Sequence, residues 1–169
     1  VFLTTRPRYD DARGSFTKVL GEGDSGDQPP FLAVEMFWSS SPRGVFRGLH
    51  VPGPGRSSRK AVFVAHGRVR DFVLDLRRGS PTEGLLYEVD LDEAGGALIV
   101  AEGCAHGFEV VSDRAAMVYA QERHYDPGED LGVLYSSAGV VLAAPDPVVS
   151  ERDAALPALA DFDSPFPFA

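Results

Sequence analysis

Arg47 and His50 stand close together in the run Gly44-Val45-Phe46-Arg47-Gly48-Leu49-His50, and Lys60 follows after a flexible Pro52-Gly53-Pro54-Gly55 stretch. A neutral histidine near a lysine has the makings of a general base beside a charge stabiliser. Imidazole titrates near neutrality, and an ammonium offsets negative charge developing on an oxygen. His106 stands in Ala105-His106-Gly107-Phe108, and Tyr119 and Tyr125 frame Ala120-Gln121-Glu122-Arg123-His124. Each is ambiguous alone, because single histidines also serve as packing or surface residues and strand tyrosines as ordinary aromatics. The stretch 69–76 alternates, with Val69, Asp71, Val73 and Asp75 on one face and Arg70, Phe72, Leu74 and Leu76 on the other. Unpaired carboxylates are costly to bury, so the aspartate face meets water, a basic partner or a ligand cavity. The pattern alone leaves a solvated outer face and a cavity wall equally open.

The elements that would position these groups are short strands. Apolar or alternating runs predict them at 31–38, 61–65, 69–76, 85–91, 97–100, 107–111, 116–120 and 139–143. Turn formers punctuate them at Gly79-Ser80-Pro81, Gly95-Gly96, Asp126-Pro127-Gly128 and Pro145-Asp146-Pro147. Many short strands at this spacing indicate an all-β sandwich or barrel, and periodicity leaves immunoglobulin-like and jelly-roll topologies both open. Helix is expected only in short pieces, for instance near 151–159, where Ser150 can cap. Without an internal repeat or low-complexity linker, residues 1–169 are expected to form one domain.

Composition excludes other classes. A formal charge of −9 lacks the basic footprint of a general nucleic-acid binder. No apolar run approaches the roughly 20 residues of a membrane span, and no basic-then-apolar leader is visible, so membrane association is not expected. The lone Cys104 cannot form an intrachain disulfide, fits a reducing cytoplasmic compartment, and reads as a buried structural thiol.

Taken in order, these motifs resemble the dTDP-4-dehydrorhamnose 3,5-epimerase family. The likeness runs through Asp11-Ala12-Arg13-Gly14-Ser15-Phe16, Ser39-Ser40-Ser41, the Arg47-Gly48-Leu49-His50 motif, Lys60 and the 67–77 stretch. It continues through Ser80-Pro81-Thr82, Ala105-His106-Gly107-Phe108, Tyr119, Tyr125 with Pro127, and Ser150-Glu151-Arg152-Asp153. The resemblance implies a cupin-type jelly roll, a homodimer that shares strands between subunits, and a nucleotide-linked 4-keto-6-deoxyhexose as substrate. It implies no metal and no redox cofactor. By motif match, His50 would remove the proton beside the ketone and Asp153 would orient His50. Lys60 would stabilise the enolate, with Asp71 near the keto oxygen, and Tyr119 would return a proton to the opposite face. Arg13, Phe16, Arg47, His106 and Tyr125 would bind the sugar and diphosphate.

The ligand cradle departs from the family pattern at Glu35 and Phe37, where glutamine and asparagine are usual, at Pro52 and Ser58, where glutamines are usual, and at Lys18, where an acid is usual. Such changes imply an altered ligand, because a buried polar group left unpaired is costly. An unusual deoxysugar, epimerised at carbon 3, carbon 5 or both, is therefore expected. Another sugar-nucleotide keto-isomerase on the same scaffold and a non-catalytic small-molecule-binding cupin are the alternatives. A metal is not expected: His50 is followed by Val51 and Pro52, and His66, His106 and His124 lack ligand spacing.

Overall fold

A computed structural model describes residues 1–4, 8–21 and 30–168. Among them the strands are Phe2–Leu3 (β1), Arg8–Asp11 (β2), Gly14–Thr17 (β3), Glu35–Pro42 (β4), Phe46–Pro52 (β5) and Lys60–His66 (β6). They continue as Arg68–Asp75 (β7), Leu86–Asp92 (β8), Leu98–Val100 (β9), Cys104–Val110 (β10), Arg114–Gln121 (β11) and Asp130–Gly132 (β12). Two five-stranded sheets result, in the orders β1-β9-β6-β11-β4 and β12-β5-β10-β7-β8, with β2 and β3 forming a separate hairpin. The chain crosses repeatedly from one sheet to the other, as the expected jelly roll requires. Among the described residues no helix is long and apolar enough to cross a membrane.

Side-chain alternation sets what each face does. Val62, Val64, Val69, Val73, Phe108 and Met117 form a buried cluster between the sheets. Leu49, Val51, Phe72, Leu74 and Ala105 form a second cluster on the outer face of the second sheet, roofed by Val133, Val140 and Phe166. Burying each large apolar side chain contributes about 1.5–3 kcal/mol, so these clusters fix the register of their strands. Because successive strand residues face opposite ways, His50 between Leu49 and Val51 turns inward. So do Asp71 beside Phe72 and His106 beside Ala105. On the facing sheet, Val62 and Met117 set the parity that carries Lys60, Tyr119 and Gln121 inward as well.

Some elements differ from expectation. The strand expected at 31–38 lies at Glu35–Pro42, because its polar half, Ser39 to Ser41, pairs with β11. The Leu32 and Phe31 end of that run stays outside the ladder, with Phe31 packed on Ala61 and Ala120. Residues 139–143 are no strand: Val140 and Leu142 cover the second cluster, and the buried Glu109 carboxylate accepts from the Ala143 and Ala144 N–H groups at 2.8 and 2.7 Å. β5, with Gly48 inside it and Gly44 just before it, shows no strand signal in the sequence yet is a full strand. The expected helix is a single turn, Glu151–Ala154 (α1), whose Asp153 N–H donates to the Ser150 hydroxyl at 3.1 Å.

Candidate active site

At one end of the space between the sheets the apolar layer gives way to polar side chains around a cavity of about 310 Å³. That volume suits a small ligand. Arg47, His50 and His106 line it from the second sheet; Phe37, Lys60, Tyr119 and Gln121 line it from the first. Tyr125, Asp130, Arg152 and Asp153 close it from the segments after β11.

His50 Nε2 lies 2.7 Å from Asp153 Oδ1. The other carboxylate oxygen accepts from the Gly48 N–H at 3.2 Å. Burial opposes ionisation of Asp153, but the hydrogen bonds from His50 and Gly48 outweigh it and hold the carboxyl below its usual range. An ionised Asp153 accepts from Nε2–H and leaves Nδ1 as the ring atom able to take a proton. Glycine at 48 is required by closeness: a Cβ there would sit 2.5 Å from the Gly107 Cα.

A second histidine–carboxylate pair faces the same cavity from deeper in the sheet. His106 Nε2 lies 2.8 Å from Asp71 Oδ2, with side-chain exposures of 3% and 0%. Burial pushes Asp71 up and His106 down, each toward its uncharged form, with their mutual attraction opposing both shifts. Asp71 Oδ1 is buried without a hydrogen-bond partner.

Lys60 reaches from β6 toward the opposite sheet and donates to the His50 carbonyl oxygen at 3.2 Å. Burial lowers its ammonium to about 8, while Asp130 and Asp71 pull the other way. Tyr119 stacks on Phe37, its register partner on β4, with ring centroids 4.8 Å apart and planes at 16°. The His106 ring stands edge-on to it at 6.2 Å. Burial pushes the Tyr119 phenol well above its ordinary value, so it keeps its proton at neutral pH. Tyr125 donates its hydroxyl proton to Asp130 at 2.9 Å, and Arg152 pairs with the same carboxylate at 2.8 Å.

The structure thus brings His50, Lys60, Tyr119, Asp153, Arg47, His106 and Tyr125 to one cavity. Asp71 does not line it; its carboxylate is buried and hydrogen-bonds the cavity-lining His106. Arg13 and Phe16 are elsewhere. They sit on the β2–β3 hairpin, where Arg13 pairs with Asp11 at 2.6 Å and Phe16 is 59% exposed. Cys104 is buried, and burial raises its thiol to about 11, which removes it as a nucleophile. Among the described residues no group of three or more His, Cys, Asp or Glu is arranged to hold a metal ion.

Chemically, the cavity offers a base on one sheet, a protonated phenol on the facing sheet and a buried cation between them. That set can move protons at a carbon next to a carbonyl. Residues 1–161 match the family model of dTDP-4-dehydrorhamnose 3,5-epimerase. The chain belongs to this family. It is 33% identical over 169 residues to the dTDP-4-dehydrorhamnose 3,5-epimerase of Streptomyces griseus, covering 96% of this chain and 84% of that one. It is 36% identical over 127 residues to a dTDP-4-dehydrorhamnose 3-epimerase of Streptomyces niveus, covering 73% and 61%. Its fold superposes with a TM-score of 0.85 and 32% identity on NovW, a 4-keto-6-deoxy sugar epimerase from the novobiocin biosynthetic gene cluster of Streptomyces spheroides. That likeness covers 92% of this chain and 81% of NovW.

For this member of the epimerase family, reading the sequence missed Gln121, Asp130 and Arg152 as cavity residues. Gln121 carried a signal, since it keeps the parity of Tyr119 on β11 and lies opposite Lys60. Arg152 adjoins Asp153 on the same short turn. Asp130 carried none, because β12 is three residues long and shows no periodicity.

Proposed function

We propose that this chain epimerises a dTDP-linked 4-keto-6-deoxyhexose at carbon 3, carbon 5 or both, by deprotonation and reprotonation beside the ketone. The observation that carries the reading is the placement of His50 and Tyr119 on the inner faces of opposing sheets, lining one cavity. A sugar ring lying between the sheets meets the base on one face and the phenol on the other, as inversion demands. Asp153 holds His50 in the tautomer whose Nδ1 accepts the proton, the role a carboxylate plays for a histidine base in hydrolases. Lys60 is the charge stabiliser for the enolate oxygen. The Tyr119 phenol is a weak acid, which suffices for a strongly basic carbanion. Arg47, which donates through Nε to Ser41 at 3.1 Å, and Tyr125 at the mouth bind the sugar and diphosphate. His106 supplies a hydrogen bond to the sugar from a ring held by Asp71.

The same reading includes a homodimer within the cytoplasm. Edge strand β4 carries Met36 and Trp38 outward, 61% and 74% exposed, which is the kind of edge a second copy covers. Arg13 and Phe16, displayed on an exposed hairpin away from their own cavity, would then serve the cavity of the second copy. Light scattering at micromolar concentration is expected to give a dimer mass; a monomer would refute this part.

The test of activity is solvent exchange. Candidate dTDP-4-keto-6-deoxyhexoses incubated with the protein in heavy water are expected to gain deuterium beside the ketone and to yield a new stereoisomer. Absence of exchange in every sugar tried would favour a binding module instead.

A further inference from the structure

Two carbons flank a 4-ketone, and the same carbonyl acidifies both. An epimerase that inverts both must bring base and acid to each in turn, by turning the sugar, by swinging the phenol, or by both. Here the phenol is clamped. Phe37 lies flat against one face of the Tyr119 ring, 4.8 Å between centroids and 16° from parallel. The His106 ring stands against it at 80°, and His106 is itself pinned by Asp71. The remainder of the Tyr119 ring packs on the buried cluster between the sheets. Phe37 and Tyr119 are direct cross-strand partners, so the backbone ladder also sets their separation. Phe37 is 38% exposed and lines the cavity, so the clamp stands in the space the sugar would use.

We infer that Phe37 is a specificity-determining positioning residue: its stack on Tyr119 holds the phenol toward one of the two carbons flanking the ketone, and this chain inverts a single centre. The inference rests on the epimerase reading above and narrows it. Phe37 carries no polar atom and takes no part in proton transfer. It acts by removing the ring rotations through which Tyr119 would serve the second carbon. Proton removal by His50 does not depend on this clamp, so hydrogen exchange at either carbon is separable from inversion.

The experiment uses the full chain and its Phe37→Ala, Phe37→Leu and Phe37→Tyr variants with dTDP-4-keto-6-deoxyglucose in heavy water. NMR assigns deuterium to each carbon, and chromatography counts the inverted centres. The wild type is expected to give one singly inverted product. Phe37→Ala is expected to raise the doubly inverted fraction by about threefold to tenfold, the change in population that loss of one aromatic stack produces. Phe37→Leu keeps an apolar side chain of similar size without a flat face, and is expected to show the same shift should the alanine variant fold poorly. Phe37→Tyr keeps the stack and is expected to restore single inversion. Double inversion by the wild type, or a product ratio unmoved in both Phe37→Ala and Phe37→Leu, overturns the inference while leaving the epimerase reading intact. No exchange at all in the wild type overturns that reading and this inference with it.

Discussion

Two histidine–aspartate pairs face the same cavity at nearly the same distance, 2.7 Å for His50–Asp153 and 2.8 Å for His106–Asp71, yet their surroundings give them different chemistry. The His50 side chain is 26% exposed, and Asp153 is also tied by the Gly48 N–H on the same strand as His50. Its carboxyl stays ionised, and His50 can gain a proton and have the charge answered. The deeper pair is shut away from solvent, and burial drives both members toward their uncharged forms. A histidine that cannot easily become charged is a poor base but a well-fixed hydrogen-bond partner. Spacing and residue type do not separate the two pairs; solvation does.

The largest effect that would sharpen this contrast is loss of the base. His50→Ala is expected to bring both deuterium exchange and inversion down by about 10⁴-fold in kcat/KM, the upper end of the about 10²–10⁴ that proton transfer by one group typically contributes. Substantial activity in that variant would transfer the base role elsewhere, with His106 the first alternative. Tyr119→Phe comes next. Inversion is expected to fall by about 10²–10³ while exchange persists, because His50 can still take a proton and return deuterium to the same face. Equal loss of exchange and inversion would show that the phenol is needed for the first step.

The site is partly legible in the sequence. The alternation of Val69, Asp71 and Val73 against Phe72 and Leu74 showed that two aspartates share a face, and β7 keeps that parity. What the pattern could not tell was whether the face met water or a cavity, since that depends on the opposite sheet supplying Lys60 and Tyr119. The β4 displacement has a similar origin. Apolar residues predict a strand at 31–38, but Ser39 to Ser41 are strand because β11 is beside them, and Ser41 is 1% exposed despite its hydroxyl. β5 was hidden by its glycines, although close approach to β10 is what calls for Gly48. Arg13 and Phe16 matched the family motif in sequence, but a motif match does not say whose cavity a residue serves.

Asp153→Asn and the pH profile test the charged pair directly. The amide keeps the shape of the carboxylate but offers no negative charge to a protonated His50, and kcat/KM is expected to fall about 10²-fold with the fold intact. Lys60 adds an alkaline limb. Its ammonium, lowered to about 8 by burial, is charged below that pH and neutral above it. Stabilisation of the enolate is therefore present on the acid side and lost as pH rises. The kcat/KM of the wild type is expected to decline about tenfold per unit above pH 8, and Lys60→Arg, whose guanidinium stays charged, to remove that limb at a lower plateau. A flat profile to pH 10 in the wild type would show that Lys60 keeps its proton over this range, and unchanged activity in Lys60→Ala would exclude it as the charge stabiliser.

The smallest effect is expected from Asp71→Asn, and it decides whether the two pairs really differ. Asp71 touches His106 through Oδ2 alone, and its other oxygen has no hydrogen-bond partner. If burial keeps the pair uncharged, an asparagine can replace either form of the carboxyl. Its amide N–H donates to a ring nitrogen that accepts, or its oxygen accepts from a ring N–H that donates, according to how the amide is turned. The hydrogen bond survives, His106 stays in place, and the Lys60 limb does not move. Activity at neutral pH is then expected to fall by less than about tenfold. The thermal midpoint should change by a few degrees at most, since about 1 kcal/mol corresponds to about 2–4 °C in a chain of this size. A loss as large as that of Asp153→Asn would mean that Asp71 carries its charge in the working enzyme. The alkaline limb would then also move to lower pH, because an ionised Asp71 helps Lys60 keep its proton. In that outcome His106 would be a second proton-transfer group rather than a fixed donor, and both pairs would work as bases on the same sugar.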